Sequence, residues 1–389
     1  MPYYRSVGEI PPKRHTRFPR PDGSLHAEEL IGQEGFSQGS SLLYHRGSPT
    51  AIVSIEAVAD SHPAGVPNHP LTPRHLRTSD LAPGEDPVSG RKLLLHNSDV
   101  RIGHVRTGGS GPLHRNAVGD EIVFVHDGSG HLDSVFGRLR FRPGDYVVIP
   151  SSVIHRWVLD PGVELSALTL EFTGHVRFPG RYLSRTGQFL EHSPFCERDI
   201  HAPSQPLIEE GEDVEVLVRS RAGTTRYVYR DHPFDVVGWD GCVYPFTFSI
   251  HDFEPITGRI HQPPPVHQTF EADGVVVCSF VPRLYDYHPE AIAVPYNHSN
   301  VDTDEVLYYV EGDFMSRKGS GIGRGSISLH PAGHTHGPQP GSVEAGFGQV
   351  GTEEYAVMID TFERLDLAPA ALECEDDAYP SSWLGGGPG

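Results

Sequence analysis

One polar signature occurs twice in this chain, and the repetition limits the fold more than any other feature. His114-Arg115-Asn116-Ala117-Val118-Gly119-Asp120-Glu121 and His298-Ser299-Asn300-Val301-Asp302-Thr303-Asp304-Glu305 carry His, Asn, Asp and Glu at identical offsets. Each copy continues into an alternating apolar run, a Gly-containing turn and a second run that ends in histidine. In the first copy Arg142-Pro143-Gly144-Asp145-Tyr146-Val147-Val148-Ile149-Pro150 leads to His155. In the second, Gly325-Ser326-Ile327-Ser328-Leu329-His330 leads to His336. Self-similarity on this scale marks a duplicated supersecondary unit.

The repeated unit reads as β-structure. Glu121-Ile122-Val123-Phe124-Val125 and Glu305-Val306-Leu307-Tyr308-Tyr309-Val310 are β-branched or aromatic runs closed by glycine turns. With 43 Gly and 35 Pro in 389 residues, turns are frequent and apolar runs short, as an all-β chain requires. The expected fold is all-β, with two tandem cupin-like β-barrel or sandwich domains, a bicupin. The polar stretch from His201-Ala202-Pro203-Ser204-Gln205-Pro206 to Glu209-Glu210-Gly211-Glu212-Asp213 sets the division at residues 1–210 and 211–389. Helix is scarce: His26-Ala27-Glu28-Glu29-Leu30 and Pro369-Ala370-Ala371-Leu372-Glu373 can each form a single turn. The tail Leu384-Gly385-Gly386-Gly387-Pro388-Gly389 is expected to be flexible.

A formal net charge of -20 spread along the chain disfavours the phosphate neutralisation that nucleic-acid binding needs. No apolar stretch approaches a bilayer span, and Met1-Pro2-Tyr3-Tyr4-Arg5 lacks the apolar core of a signal peptide, so the expectation is a soluble cytoplasmic protein. Cys196, Cys242, Cys278 and Cys374 are widely spaced and are expected as reduced thiols without metal or redox chemistry.

His298, Glu305 and His336 are two histidines and a carboxylate on one β unit. That donor set leaves positions open on an octahedral Fe(II), so one metal can hold an aromatic diol and O2 together. His330 and His334 compete with His336 for the last place. Ring cleavage also needs a base to take the phenol proton, and Arg259-Ile260-His261-Gln262-Pro263-Pro264-Pro265-Val266-His267 offers His261 and His267. In the first unit His114, Glu121 and His155 form a chemically complete ligand trio. The reading preferred for them is a relic or a hydrogen-bonded cluster without metal.

The chain resembles the homogentisate 1,2-dioxygenase family. The resemblance rests on Leu25-His26-Ala27-Glu28-Glu29-Leu30-Ile31-Gly32, on Pro233-Phe234-Asp235-Val236-Val237-Gly238-Trp239 through Tyr244-Pro245, on the histidine-and-proline run at His261, and on the two segments that carry the metal-ligand trio. It implies Fe(II) on His298, Glu305 and His336, His261 as the active-site histidine, and Tyr296, His330 and His336 beside the substrate. It also implies conversion of homogentisate and O2 to maleylacetoacetate, in tyrosine and phenylalanine breakdown, by a trimer or a hexamer of two trimers. Phe314 departs from the family, whose members carry a tyrosine after the matching glycine, and the first domain is shorter than theirs. These departures leave open a related dioxygenase for another hydroquinone or catechol. A non-catalytic ligand-binding cupin is the alternative of a different class.

Overall fold

The computed structural model describes residues 3–58 and 64–384, nearly all of them in strands, turns and loops. Residues 385–389 of the glycine-rich tail lie outside the described residues. Strands form where Val, Ile, Phe and Tyr cluster, because branched and aromatic side chains pack well on a pleated surface. Glycines in left-handed backbone close the turns: Gly144 (φ 89°) precedes Asp145–Ile149, and Gly325 (φ 78°) precedes Ser326–His330.

Two large sheets build the first unit. In the nine-stranded one Glu121–Asp127 is an interior strand that pairs antiparallel with both Asp145–Ile149 and Leu165–Phe172. The seven-stranded one places His114–Asn116 between His155–Leu159 and Glu212–Ser220. Ile122 and Leu168 from the former and Leu132 and Trp157 from the latter are fully buried in one continuous core. A six-stranded sheet forms the second unit, with Asp304–Glu311 between Tyr355–Thr361 and Ser326–His330. The two units therefore follow the all-β, duplicated plan expected from the repeat. They share a packed joint: Tyr146 meets Phe270 edge to face at 5.4 Å, and the Tyr308 hydroxyl lies 2.8 Å from His126 Nδ1.

The units also exchange edges. Arg74–Arg77 pairs with Ser326–His330 in the second unit's sheet, whereas Asp366–Leu367 pairs with Lys92–His96 in the first unit's. Arg74 reinforces the exchange with an ion pair to Glu375 at 2.6 Å.

Two expectations need correction. The division does not fall at residue 210, because Glu212–Ser220 and Gly223–Asp231 belong to the seven-stranded sheet and Phe246–Ser249 pairs with Asp145–Ile149. The polar stretch that suggested the boundary is a surface connection inside the first unit, where the Glu209 N–H donates to the Phe234 carbonyl. The expected helical turn at His26–Leu30 is instead part of a strand, Ala27–Gly32, paired antiparallel with Ser40–His45. Exposure alternates along it as a half-buried strand requires. Pro369–Glu373 does form a short helix. No helix among the described residues is long and apolar enough to cross a membrane.

Candidate metal centre

His298, Glu305 and His336 converge, with one nitrogen or oxygen of each within 4.8 Å of the others. Glu305 projects from the strand Asp304–Glu311, where the sheet fixes it between His330 on one neighbour and Asp360 on the other. His298 and His336 sit on loops, held by a reciprocal backbone bridge. The His298 N–H donates to the His336 carbonyl at 2.7 Å, and the His336 N–H donates to the His298 carbonyl at 2.9 Å. Their rings lie 4.3 Å apart between centroids. Gly337 follows for a steric reason: a Cβ there would lie 2.2 Å from the Asn297 side-chain oxygen.

Ring orientation decides what the cluster can bind. His336 Nδ1 lies 3.1 Å from the His334 carbonyl and donates to it, which leaves Nε2 as a bare lone pair. That nitrogen is buried without a hydrogen bond and faces Glu305 Oε1 at 3.3 Å; His298 Nε2 lies 3.8 Å from Oε2. A lone pair turned toward a carboxylate in a buried pocket is repulsive unless a proton or a metal cation lies between them. The residues present fit a divalent metal, with two imidazole nitrogens and one carboxylate oxygen as donors. Burial alone would raise the Glu305 pKa, yet the three surrounding histidines hold it well below the ordinary range, so it is anionic.

His330 supports the carboxylate from behind. It is fully buried, its Nδ1 lies 2.8 Å from Glu305 Oε1, and its Nε2 lies 2.8 Å from the Tyr379 hydroxyl. Burial pushes its pKa down to about 3 despite Glu305, so the ring is neutral. Tyr379 then donates to Nε2, and Nδ1–H donates to Glu305, which fixes the tautomer. The turn after His336 is gripped by two more donors, Arg317 Nη1 at 2.6 Å and Trp383 Nε1 at 3.1 Å, both to the Gly337 carbonyl.

The repeated aspartates explain part of the signature. Asp304 accepts from the backbone N–H of Ala332 and of Leu365, each at 2.9 Å; Asp120 accepts from Ser151 at 2.8 Å and Val176 at 2.9 Å. Each carboxylate ties the start of its own strand to the turn that precedes the unit's second histidine.

On the open side, Tyr296 and His261 extend the cluster outward. The Tyr296 ring packs edge to face on His298 at 5.7 Å, and its hydroxyl lies 3.1 Å from His261 Nε2. His267 is elsewhere, buried behind this wall against Phe280 and Arg283. Phe314 is buried, with its ring edge to face on Tyr309 at 5.0 Å.

The first unit's trio is arranged differently. His114 and His155 are direct cross-strand partners with rings 5.4 Å apart. Glu121, however, accepts from Arg91 Nη2 at 3.0 Å and from Asn116 Nδ2 at 2.6 Å. Burial would raise its pKa, but the Arg91 guanidinium brings it down to about 2. Burial and the neighbouring His155 push His114 down to about 3. Where the second unit offers its carboxylate to a metal, the first has a guanidinium against it. Among the described residues, His298, Glu305 and His336 are the one group of three or more that meets ligand-cluster geometry.

Comparison with known proteins gives this geometry a family. A Saccharolobus solfataricus protein, named provisionally as a dioxygenase, is 39% identical over 392 residues, which cover 98% of this chain and 99% of that one. The chain belongs to the cupin dioxygenase family. The cupin domain model matches residues 101–170 of this cupin dioxygenase, in the first unit. Homogentisate 1,2-dioxygenase of Emericella nidulans is 25% identical over 234 residues, 57% of this chain, and the match spans about half of that enzyme (51%). The Arabidopsis thaliana enzyme of the same name is 24% identical over 316 residues, 76% of this chain and 67% of that one. Among solved structures, a cupin 2 conserved barrel domain protein from Leptotrichia buccalis covers 77% of the chain at 9% identity and a TM-score of 0.35.

Proposed function

We propose that this cupin dioxygenase is an Fe(II)-dependent ring-cleaving enzyme that takes homogentisate and O2 to maleylacetoacetate. The observation that carries the reading is the convergence of His298, Glu305 and His336, with His261 and Tyr296 on the open side of the cluster. Bound to those three side chains, iron would hold the diol and O2 side by side. The remaining roles belong to the chain. His261, whose pKa burial and Arg283 hold below the usual histidine value, is neutral at pH 7 and can take the phenol proton at Nε2. Tyr296 lies between that nitrogen and His298, where its hydroxyl can position the substrate or pass the proton. His330 and Tyr379 keep Glu305 anionic and aimed at the centre.

A second reading has its own support: the matches to the homogentisate enzymes are distant and partial, and Phe314 supplies no hydroxyl. It is a dioxygenase that opens another hydroquinone or a catechol. Metal analysis under anaerobic conditions, followed by O2 uptake on homogentisate, gentisate and homoprotocatechuate, separates the two. Homogentisate as the best substrate supports the first, and indifference to all three overturns it. For assembly we propose the family's trimer or hexamer, which sedimentation tests.

A further inference from the structure

Beside His261 lies a narrow surface cleft whose polar wall is made by His261, Gln262, Arg283, Tyr285 and Asp286. Arg283 is the permanent cation of that wall. The chain has 51 acidic residues against 31 Lys and Arg, yet among the described residues none of its carboxylates lies within 4 Å of the Arg283 guanidinium. Burial raises the Glu354 pKa while the charge of Arg283 lowers it, and Asp286 stands on the same wall of the cleft. A guanidinium with no carboxylate in direct contact at the edge of a cleft favours a ligand that brings one.

The position of Arg283 is built rather than incidental. Its backbone is part of a two-stranded ribbon, pairing Arg283 with Thr352 and Leu284 with Gly351. The strands lie so close that a Cβ on Gly351 would sit 2.5 Å from the Arg283 carbonyl oxygen. Behind the guanidinium, His267 Nε2 accepts from Arg283 Nη1. His267 is 1% exposed and packs at a tilt against Phe280 at 4.6 Å between centroids, and burial together with Arg283 pushes its pKa down to about 3, so it is a neutral acceptor. One nitrogen of the fork is thereby fixed, and the rest is left to the cleft. From there the path to the metal cluster is short: His261 to Tyr296 at 3.1 Å, then Tyr296 to His298 at 5.7 Å between rings.

We infer that Arg283, oriented by His267, is the anion anchor of the substrate pocket, and that the substrate is an aromatic acid whose carboxylate-bearing arm lies in the cleft beside His261. The inference rests on the dioxygenase reading of the cluster and adds a residue that selects the substrate. It also gives both histidines of the proline-rich segment a place, His261 facing the ring and His267 behind the anchor.

Equilibrium binding without O2 tests it independently of turnover. Metal-loaded wild type, Arg283→Gln and Arg283→Lys are titrated by calorimetry with homogentisate and with methylhydroquinone, which lacks the carboxylate. Arg283→Gln should weaken homogentisate binding about 10- to 100-fold, the range for losing a charge-assisted hydrogen bond, and leave methylhydroquinone within about twofold. Arg283→Lys should recover part of the loss, since it keeps the charge but not the fork. Equal losses for both ligands, no loss for either, or a wild type that does not prefer the acid would overturn the inference. O2 uptake is read separately. A wild type that discriminates between the two ligands through Arg283 but consumes no O2 keeps the anchor and overturns the dioxygenase reading.

Discussion

Replacing Arg91 by Met tests whether the first unit holds its charged cluster together with a guanidinium in the place of a metal. Glu121 is 1% exposed, and Arg91 is the cation on its carboxylate, while Asn116 supplies a neutral hydrogen bond. Removing one partner of a buried ion pair leaves an uncompensated charge and costs about 3–5 kcal/mol. Set against a total stability of about 5–15 kcal/mol, that is a large fraction. With a urea slope of about 1–3 kcal/mol/M, the midpoint should fall by roughly 1–5 M. Trp157 and Trp239, both fully buried in the first unit, give the fluorescence signal. The double variant Arg91→Met with Glu121→Gln should regain most of the loss, because an amide needs no counter-charge. A loss below about 1 kcal/mol would refute the argument, since a buried carboxylate cannot shed its cation so cheaply. So would a wild type that binds two metal equivalents and loses one in His114→Ala, because the trio would then be a true site.

Three further outcomes follow from the second unit. Glu305→Gln removes the anionic donor and should lower metal content well below one equivalent per chain and collapse turnover, read by metal analysis and O2 uptake; a variant with unchanged uptake removes Glu305 from the site. His261→Ala should keep its metal but lose roughly two to four orders of magnitude in kcat, whereas His267→Ala should act mainly on KM for the acid; the reverse pattern would exchange their roles. The pH profile of kcat/KM should have an acid limb below pH 6.5, because burial lowers the His261 pKa and activity is lost only as the pH falls through that value; His261→Ala should remove the limb.

How far the sequence reaches can be judged from individual residues. The grouping of His298, Glu305 and His336 was legible because metal chemistry restricts donors to a few residue types and the duplication repeats their spacing. Glu121 and Glu305 were legible as strand residues because an apolar alternation starts at each. The braces were not. Tyr379, Trp383 and Arg317 reach the centre from parts of the chain with no local signature, and only tertiary packing brings them there. Arg91 precedes the first signature and has no counterpart in the repeat pattern, so nothing in the sequence marked it as the partner of Glu121. The aspartates did carry a signal, since they repeat at the same offset, but a repeated Asp does not say which backbone N–H groups it accepts. The division at 210 failed because polarity reports exposure to water, whereas a domain edge is set by which sheet the next strands join.

The exchanged edges make folding a matter of timing. Arg74–Arg77 belongs beside Ser326–His330, a partner translated 249 residues later (326 − 77). At about 5–20 residues per second, the ribosome takes roughly 12–50 s to supply it. Over that interval the early segment has no sheet to join, while the first unit around it is already able to collapse. Pairing of the two segments is therefore a long-range closure, slow by the cost of joining distant parts of the chain. Cut between the units, each piece would lack an edge strand that lies in the other's part of the chain.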